Sequence, residues 1–186
     1  MTRIGIITGS TRPGRNGEAV GKWVYELARQ RTDATFELID LVDQKLPLLD
    51  EVFPPAMARY EQPHTLDWAA KIGSFDGFVM VTAEYNHSTP AALKNALDFL
   101  HAEWNNKAVG FVGYGSAGGT RAVEHLRVIA AELQMADVRS QVALSLSEDF
   151  EDFSVFKPRA IQGDALADLL HQVVSWSDAL APLRTA

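Results

Sequence analysis

Residues 9–17 read Gly9-Ser-Thr-Arg-Pro-Gly-Arg-Asn-Gly17 and lie between an apolar run and an amphipathic helical pattern. A turn of small residues between a strand and a helix is where phosphate binds in open α/β sheets. Glycine permits the tight turn, and exposed N–H groups at the helix start attract an anion. The stretch therefore predicts an anion site, against the alternative of an ordinary turn. Its side-chain donors and cations are Ser10, Thr11, Arg12, Arg15 and Asn16.

Composition limits the classes of function. The chain has 186 residues, 47% of them apolar and none of them cysteine, which fits one domain (1–186) without thiolate metal sites or a cysteine nucleophile. No apolar run approaches the roughly 20 residues that span a bilayer, and the apolar stretch at the start is too short for a signal peptide. The net charge of −7 argues against a nucleic-acid surface. We therefore expect a cytoplasmic protein that binds neither membrane nor nucleic acid.

Apolar runs alternate with segments of helical periodicity along the chain, which is typical of a parallel sheet covered by helices on both faces. The predicted strands span 3–8, 35–40, 77–82, 108–114 and 138–145. The predicted helices span 16–31, 66–72, 90–100, 119–134 and 161 to about 180. The expected fold class is α/β, a three-layer doubly wound arrangement around a five-stranded parallel sheet.

Two stretches, 43–63 and 147–158, interrupt this alternation and are predicted to be long loops. Loops of this length are usually lids, interfaces or mobile covers, and we expect an interface for one of them. In the second loop, the spacing of Phe150, Phe153 and Phe156 also allows a short edge strand. Its acids are expected to face solvent; they are Asp149, Glu151 and Asp152.

Three loops are expected to meet at the carboxyl ends of the strands, where ligands bind in such sheets. The first is 9–17. The second, 83–90, offers a polar and partly aromatic surface from Glu84, Tyr85, Asn86, His87 and Ser88. The third, 115–121, offers backbone that a ligand can approach closely at Gly115, Ser116, Gly118 and Gly119. A flat heterocycle with a phosphate tail fits these three loops together.

The same segments carry motifs: Gly9-Ser-Thr-Arg12 with Gly14, Glu84-Tyr-Asn86 with Ser88 and Pro90, Leu93-Lys-Asn-Ala-Leu-Asp98, Trp104 with Lys107, and Tyr114-Gly-Ser-Ala-Gly-Gly119 with Arg121. Taken together, the chain resembles the NADPH-dependent FMN reductase family of flavodoxin-like proteins, whose relatives include quinone, azo-dye and chromate reductases. The middle motif, followed at this distance by a glycine loop, is specific. The first glycine loop alone is weak evidence.

The resemblance implies a flavodoxin-like fold with strand order 2-1-3-4-5 and bound FMN as cofactor. It implies NADPH or NADH as co-substrate and a small-molecule electron acceptor, which is a flavin, a quinone, an azo compound or a metal oxyanion. It also implies a homodimer or homotetramer. Because N5 of FMN carries the chemistry, no dedicated catalytic residue is expected.

Carried over residue by residue, the resemblance places the FMN phosphate against Ser10 and Arg12, with Arg15, Asn16 and Gly17 as partners at the helix start. Arg15 has two alternatives, the extra phosphate of NADPH or a solvated surface charge. The flavin ring and its ribityl chain are expected to lie beside the second loop, at Glu84, Tyr85, Asn86 and Ser88. The pyrimidine edge is expected near the third loop, at Gly115, Ser116, Gly118 and Gly119, with Thr120 and Arg121 as candidate helpers.

Two departures from the family pattern lie in the second loop, Ala83 where proline is usual and His87 where a small residue is common. His87 is expected to face the acceptor pocket, either as a proton donor to the reduced acceptor or as an exposed histidine at a subunit contact. Lys94 and Asp98 are expected to form an ion pair on a helix face. No spacing of histidines and acids indicates a metal site.

Two other functional classes share this sequence pattern. One is a flavodoxin-type electron carrier without its own NADPH oxidation activity. The other is a non-enzymatic module whose loops hold some other phosphate ligand. The paired arginines and the long middle motif argue against both. Visible absorbance, measured together with NADPH oxidation, distinguishes the three classes.

Overall fold

The computed structural model describes residues 1–184 and contains one sheet of five parallel strands in the order β2-β1-β3-β4-β5. The predicted order is confirmed, and each strand is one or two residues longer than predicted. The strands are β1 (Thr2–Thr8), β2 (Ala34–Asp40), β3 (Gly77–Ala83), β4 (Ala108–Gly115) and β5 (Ala136–Ser145).

All five predicted helices are present, together with one short helix that the sequence did not reveal. The six are α1 (Gly17–Ala28), α2 (Leu41–Gln44), α3 (Pro63–Gly73), α4 (Ala91–Asp98), α5 (Thr120–Glu132) and α6 (Ala160–Arg184). Helix α3 begins three residues earlier than predicted because Pro63 occupies its first turn, where a missing N–H costs nothing. Two 3-10 turns, Pro55–Met57 and Ala102–Trp104, lie in the connections.

The helices cover both faces of the sheet, which confirms the three-layer arrangement. One core joins β-strand residues such as Ile4 to the buried stripes of α1 and α6, including Val24 and Leu170. The other joins residues such as Ile7 to α3, α4 and α5. Because side chains of a strand alternate between faces, both sets of apolar positions are needed to bury the sheet. Four large apolar side chains on the inner faces of α1, α5 and α6 are only partly buried: Trp23, Leu27, Ile129 and Leu180.

The stretch 147–158 contains an antiparallel hairpin, β6 (Phe150–Glu151) with β7 (Val155–Phe156), which is separate from the main sheet. The expectation that Asp149 faces solvent is wrong, because this residue is fully buried. Its carboxylate accepts hydrogen bonds from the Ser145 and Arg159 N–H groups and the Gln162 amide, and it pairs with the Arg159 guanidinium. A buried turn needs such an acceptor for its backbone donors.

The stretch 43–63 is held against α4 by one side chain. The Asn95 amide oxygen accepts a hydrogen bond from the Leu49 N–H (2.9 Å), and its nitrogen donates to the Pro47 carbonyl (2.7 Å). Asn95 belongs to the middle motif, so part of that motif shapes the chain beside the sheet edge. The neighbouring pair, Lys94 and Asp98, forms the predicted ion pair.

Lys107, which the motif pairs with Trp104, directly precedes β4. It therefore lies at the amino ends of the strands, whereas the three loops follow the carboxyl ends. The residue is 5% exposed, and its ammonium nitrogen lies 2.9 Å from the Ile72 carbonyl oxygen, which ends α3. Burial lowers the pKa of Lys107 to about 8. The residue therefore caps α3 rather than serving the candidate site.

We expect Lys107 to make stability increase with pH in a defined window. Its folded pKa is about 8, whereas the pKa of an unfolded lysine is about 10.4. Between these values the unfolded chain binds more protons, so the free energy of unfolding rises with pH. Relative to Lys107→Met, the wild type should gain about 1–3 kcal/mol across this window. Urea unfolding at several pH values measures the difference, and parallel pH profiles for the two proteins would contradict the assignment.

Candidate functional site

The three loops meet at the carboxyl ends of β1, β3 and β4. The Ser10 hydroxyl lies 2.7 Å from the Tyr85 hydroxyl and thereby joins the first loop to the second. The Glu84 N–H donates to the Tyr114 carbonyl (3.2 Å), which joins the second loop to the strand that precedes the third. The predicted convergence of the three loops is therefore present in the fold.

The first loop leaves the start of α1 open to an anion. Asn16 occupies the N-cap position but makes no side-chain capping bond, because its amide donates to the Phe153 carbonyl at 2.9 Å. The first N–H groups of α1 therefore have no helical partner and receive no capping bond from the Asn16 side chain. Arg12 is exposed and makes no ion pair with any residue in 1–184. At Gly14, which has a φ of 67°, the space around the backbone is open.

Arg15 differs from Arg12 because its charge is already used within the protein. Its guanidinium pairs with Asp40, and the two side chains are 13% and 19% exposed. Asp40 also accepts a hydrogen bond from the Val42 N–H (3.1 Å) at the start of α2. The interpretation of Arg15 as a solvated charge is wrong. Within the described chain, the uncompensated positive charge of the first loop is that of Arg12.

Tyr114, at the end of β4, opens the glycine motif but was not among the predicted site residues. Its hydroxyl is buried, has no partner at full hydrogen-bond geometry within residues 1–184, and faces the Ser10 hydroxyl and the Gly17 N–H. A Cβ atom at Gly17 would lie 2.6 Å from this hydroxyl, so the group faces the first residue of α1. Burial raises the pKa of Tyr114 to about 12, which keeps the hydroxyl protonated as a donor. The one signal in the sequence is a tyrosine among small residues where a buried strand ends.

The second loop is a tight turn with a strained centre. Tyr85 and Ser88 exchange both backbone hydrogen bonds, at 2.9 and 3.1 Å. Asn86 and His87 between them have positive φ values of 50° and 73°, as in a two-residue hairpin of type I′. Glycine is usual at the second position, so His87 keeps a conformation that its neighbours must enforce. The turn fixes an exposed His87 side chain 3.3 Å from the Arg121 guanidinium.

The second and third loops are joined by an ion pair. The Glu84 side chain is 6% exposed, pairs with the Arg121 guanidinium and accepts the Arg121 N–H at 3.1 Å. Thr120 donates its hydroxyl to the Ala117 carbonyl at 3.0 Å. Glu84, Thr120 and Arg121 are thus all engaged with the protein at the start of α5. Glu84 takes the place of a capping residue there.

The remaining predicted residues of the third loop form a tight backbone turn. Gly118 and Gly119 have φ values of 65° and 70°, and Ser116 is exposed. One further side chain reaches the second loop from α5, since His125 Nδ1 lies 2.8 Å from the Ser88 hydroxyl. The sequence could not predict this contact, because His125 and Ser88 are 37 residues apart along the chain.

A mostly apolar recess of about 460 Å³ lies beside the second loop and is lined by Ser88, Thr89, Ala91, Lys94, His125 and Val128, among others. Residues 1–184 contain no cluster of three potential metal-binding side chains. None of the helices in this part of the chain has the length and apolar character needed to cross a membrane.

Several known proteins are similar to this chain in sequence. A family model described as NADPH-dependent FMN reductase matches residues 2–149. An NAD(P)H-dependent FMN reductase of Schizosaccharomyces pombe is 40% identical over 149 residues, which are 79% of this chain and 74% of the relative. A 2-hydroxy-1,4-benzoquinone reductase of Burkholderia sp. is 30% identical over 144 residues, 72% of each chain.

A solved structure shares the fold. It is FerB, a flavoenzyme NAD(P)H:(acceptor) oxidoreductase from Paracoccus denitrificans, with a TM-score of 0.73. The superposition covers 96% of this chain and 98% of that protein, at 19% sequence identity. At this coverage the similarity extends past residue 149 into α6.

Proposed function

This chain belongs to the NADPH-dependent FMN reductase family, and we propose that it is an FMN-dependent oxidoreductase that passes a hydride from NAD(P)H to a small acceptor. When bound, FMN supplies the hydride chemistry. The protein binds and orients the reactants, and its polar groups need not be general acids or bases.

The observation that carries the proposal is the unpartnered Tyr114 hydroxyl beneath the uncapped start of α1. A buried donor without an acceptor costs about 1–3 kcal/mol, and a phosphate ester would supply that acceptor. The same anion would meet Arg12 and the N–H groups at Asn16 and Gly17. Ser10, held by Tyr85, would complete the phosphate site. Arg15 would act indirectly, by fixing the loop against Asp40.

The flavin ring would lie between the second and third loops. Tyr85, Asn86, His87 and Ser88 form one side, in a turn that two backbone hydrogen bonds hold rigid. Glu84 holds the other side in place through Arg121. The third loop would approach the ring with backbone alone, at Gly115, Ser116, Gly118 and Gly119.

We propose a flat conjugated acceptor, a quinone or an azo compound, because the recess beside the second loop is mostly apolar. Its position next to Ser88 would bring such a ring to the same loop as the flavin. We also propose a cytoplasmic homodimer or homotetramer. Val128, which lines the recess, is 72% exposed and would be covered in an assembly.

The Tyr114→Phe variant tests the phosphate assignment. Removal of an unpartnered hydroxyl should leave the FMN-free protein as stable as the wild type or slightly more stable. FMN should bind roughly tenfold more weakly, because the phosphate loses one hydrogen bond. FMN titration followed by fluorescence, and urea unfolding of the FMN-free protein, measure the two quantities.

A colourless wild-type protein that does not take up FMN overturns the proposal. So does an FMN-loaded protein that oxidises neither NADPH nor NADH with a quinone present. Equal FMN affinity of the wild type and Tyr114→Phe removes Tyr114 from the phosphate site.

A further inference from the structure

A second cavity, of about 260 Å³, opens on the other side of the first loop. Its lining includes Thr11 of that loop, Ala92 and Asn95 of α4, and Leu41, Lys45 and Leu46 of the chain that follows β2. The buried part of this lining is apolar, with Leu41 and Ala96, whereas Thr11 and Lys45 are exposed. The cavity therefore places an apolar surface beside a cation.

Hydrogen bonds hold the wall of this cavity at two points. Asp40 accepts the Val42 N–H at 3.1 Å and pairs with Arg15. Asn95 holds the Pro47 carbonyl and the Leu49 N–H at 2.7 and 2.9 Å. The segment between these points is fixed before any ligand arrives, which lowers the entropic cost of binding.

The charge on the rim is uncompensated. Lys45 is exposed and forms no ion pair with any residue of 1–184, whereas Lys94 on the adjacent α4 is held by Asp98. The nearby Arg15 is neutralised by Asp40. The 2′-phosphate of NADPH, for which the sequence offered Arg15, would meet Lys45 instead on this side of the loop.

We infer that this cavity holds the adenosine end of NADPH, with Lys45 bound to the 2′-phosphate. The inference rests on the proposed function, because the nicotinamide must reach the flavin ring between the neighbouring loops. A cavity of 260 Å³ accepts an adenine ring but not a whole dinucleotide. NADH lacks the 2′-phosphate, so Lys45 would distinguish the two nucleotides by one charge-assisted hydrogen bond.

Fragment binding tests this assignment on FMN-saturated protein, in which the FMN phosphate site is filled. By calorimetry, the wild type should bind 2′,5′-ADP at least about tenfold more tightly than 5′-AMP, because one fragment carries the phosphate. Lys45→Ala should bring this ratio close to one, and Lys45→Arg should retain it. Lys22→Ala is the matched control, since Lys22 is an exposed lysine on α1 paired with Glu18.

Steady-state kinetics give the second readout. Lys45→Ala should raise KM for NADPH about tenfold and leave KM for NADH and the affinity for FMN unchanged. A wild-type ratio that persists in Lys45→Ala, or equal affinities for the two fragments in the wild type, overturns the inference. Either result, obtained with a wild type that oxidises NADPH, leaves the proposed function intact. FMN-loaded wild type that oxidises neither nucleotide overturns the proposed function instead.

Discussion

Replacement of Arg12 by alanine is expected to weaken FMN binding by about tenfold to a hundredfold. A hydrogen bond to a charged group contributes about 1.5–3 kcal/mol, and each 1.4 kcal/mol corresponds to about tenfold in affinity. Arg12 is exposed and free of ion pairs within the described chain, so its charge is available to the phosphate. Titration of the FMN-free variant with FMN, followed by the quenching of flavin fluorescence, measures the change.

Two other arginines serve as comparisons for Arg12→Ala. Arg29→Ala removes an exposed charge that pairs with Glu26 at the far end of α1, and it should leave FMN affinity unchanged. Arg15→Ala leaves the largely buried Asp40 carboxylate unpaired, so it should mainly lower the free energy of unfolding. Unchanged FMN affinity in Arg12→Ala, or an equal loss in Arg29→Ala, contradicts the role of Arg12.

The sheet and its long helices could be predicted because their signals are local. A strand such as β3 is buried along its whole length and is apolar except at Thr82, as expected when both of its faces are covered. In α6, Leu166, Leu170 and Val173 follow the spacing of one helical face and are buried. The short helix α2 has only four residues, too few to show a helical period, so it was not predicted.

The pairings within the site could not be predicted, because they join residues distant in sequence. Arg15 meets Asp40, and Glu84 meets Arg121. From the chain alone, each of these side chains has many potential partners. Asp149 shows the same limit, since a carboxylate among acids and aromatics has the composition of a solvated loop. Its carboxylate can be buried because it accepts hydrogen bonds from the N–H groups of Ser145 and Arg159.

The motifs combine residues of the site with residues of the scaffold, and the sequence does not distinguish them. Asn95 and Lys107 both lie in motif segments, yet one holds the chain after β2 and the other caps α3. Tyr114 lies in the glycine motif, and its hydroxyl faces Gly17 of α1, a residue that is distant in sequence. The family resemblance therefore located the loops, whereas the structure is needed to assign a task to each side chain.

Gly119→Ala is expected to be the most destabilising of the substitutions considered, at about 2–5 kcal/mol, because it combines backbone strain with a clash. Gly119 has a φ of 70°, and a Cβ atom there would lie 2.6 Å from the Tyr114 nitrogen. That backbone is held on both sides, since Tyr114 is in register with Ala83 of β3 and Leu144 of β5. The third loop would have to lift away from β4, so FMN binding should be lost together with stability.

Two other glycines separate the strain from the clash. Gly14→Ala introduces a side chain at a φ of 67° with open space around it, so only the left-handed strain of about 1–2 kcal/mol applies. Gly163→Ala, within α6 and equally open, should raise the free energy of unfolding by about 0.5–1 kcal/mol. Urea unfolding of the three FMN-free variants ranks them by their free energy of unfolding. If Gly119→Ala loses no more free energy of unfolding than Gly14→Ala, the third loop can move away from β4 at little cost. The third loop would then not contribute a rigid backbone to the site.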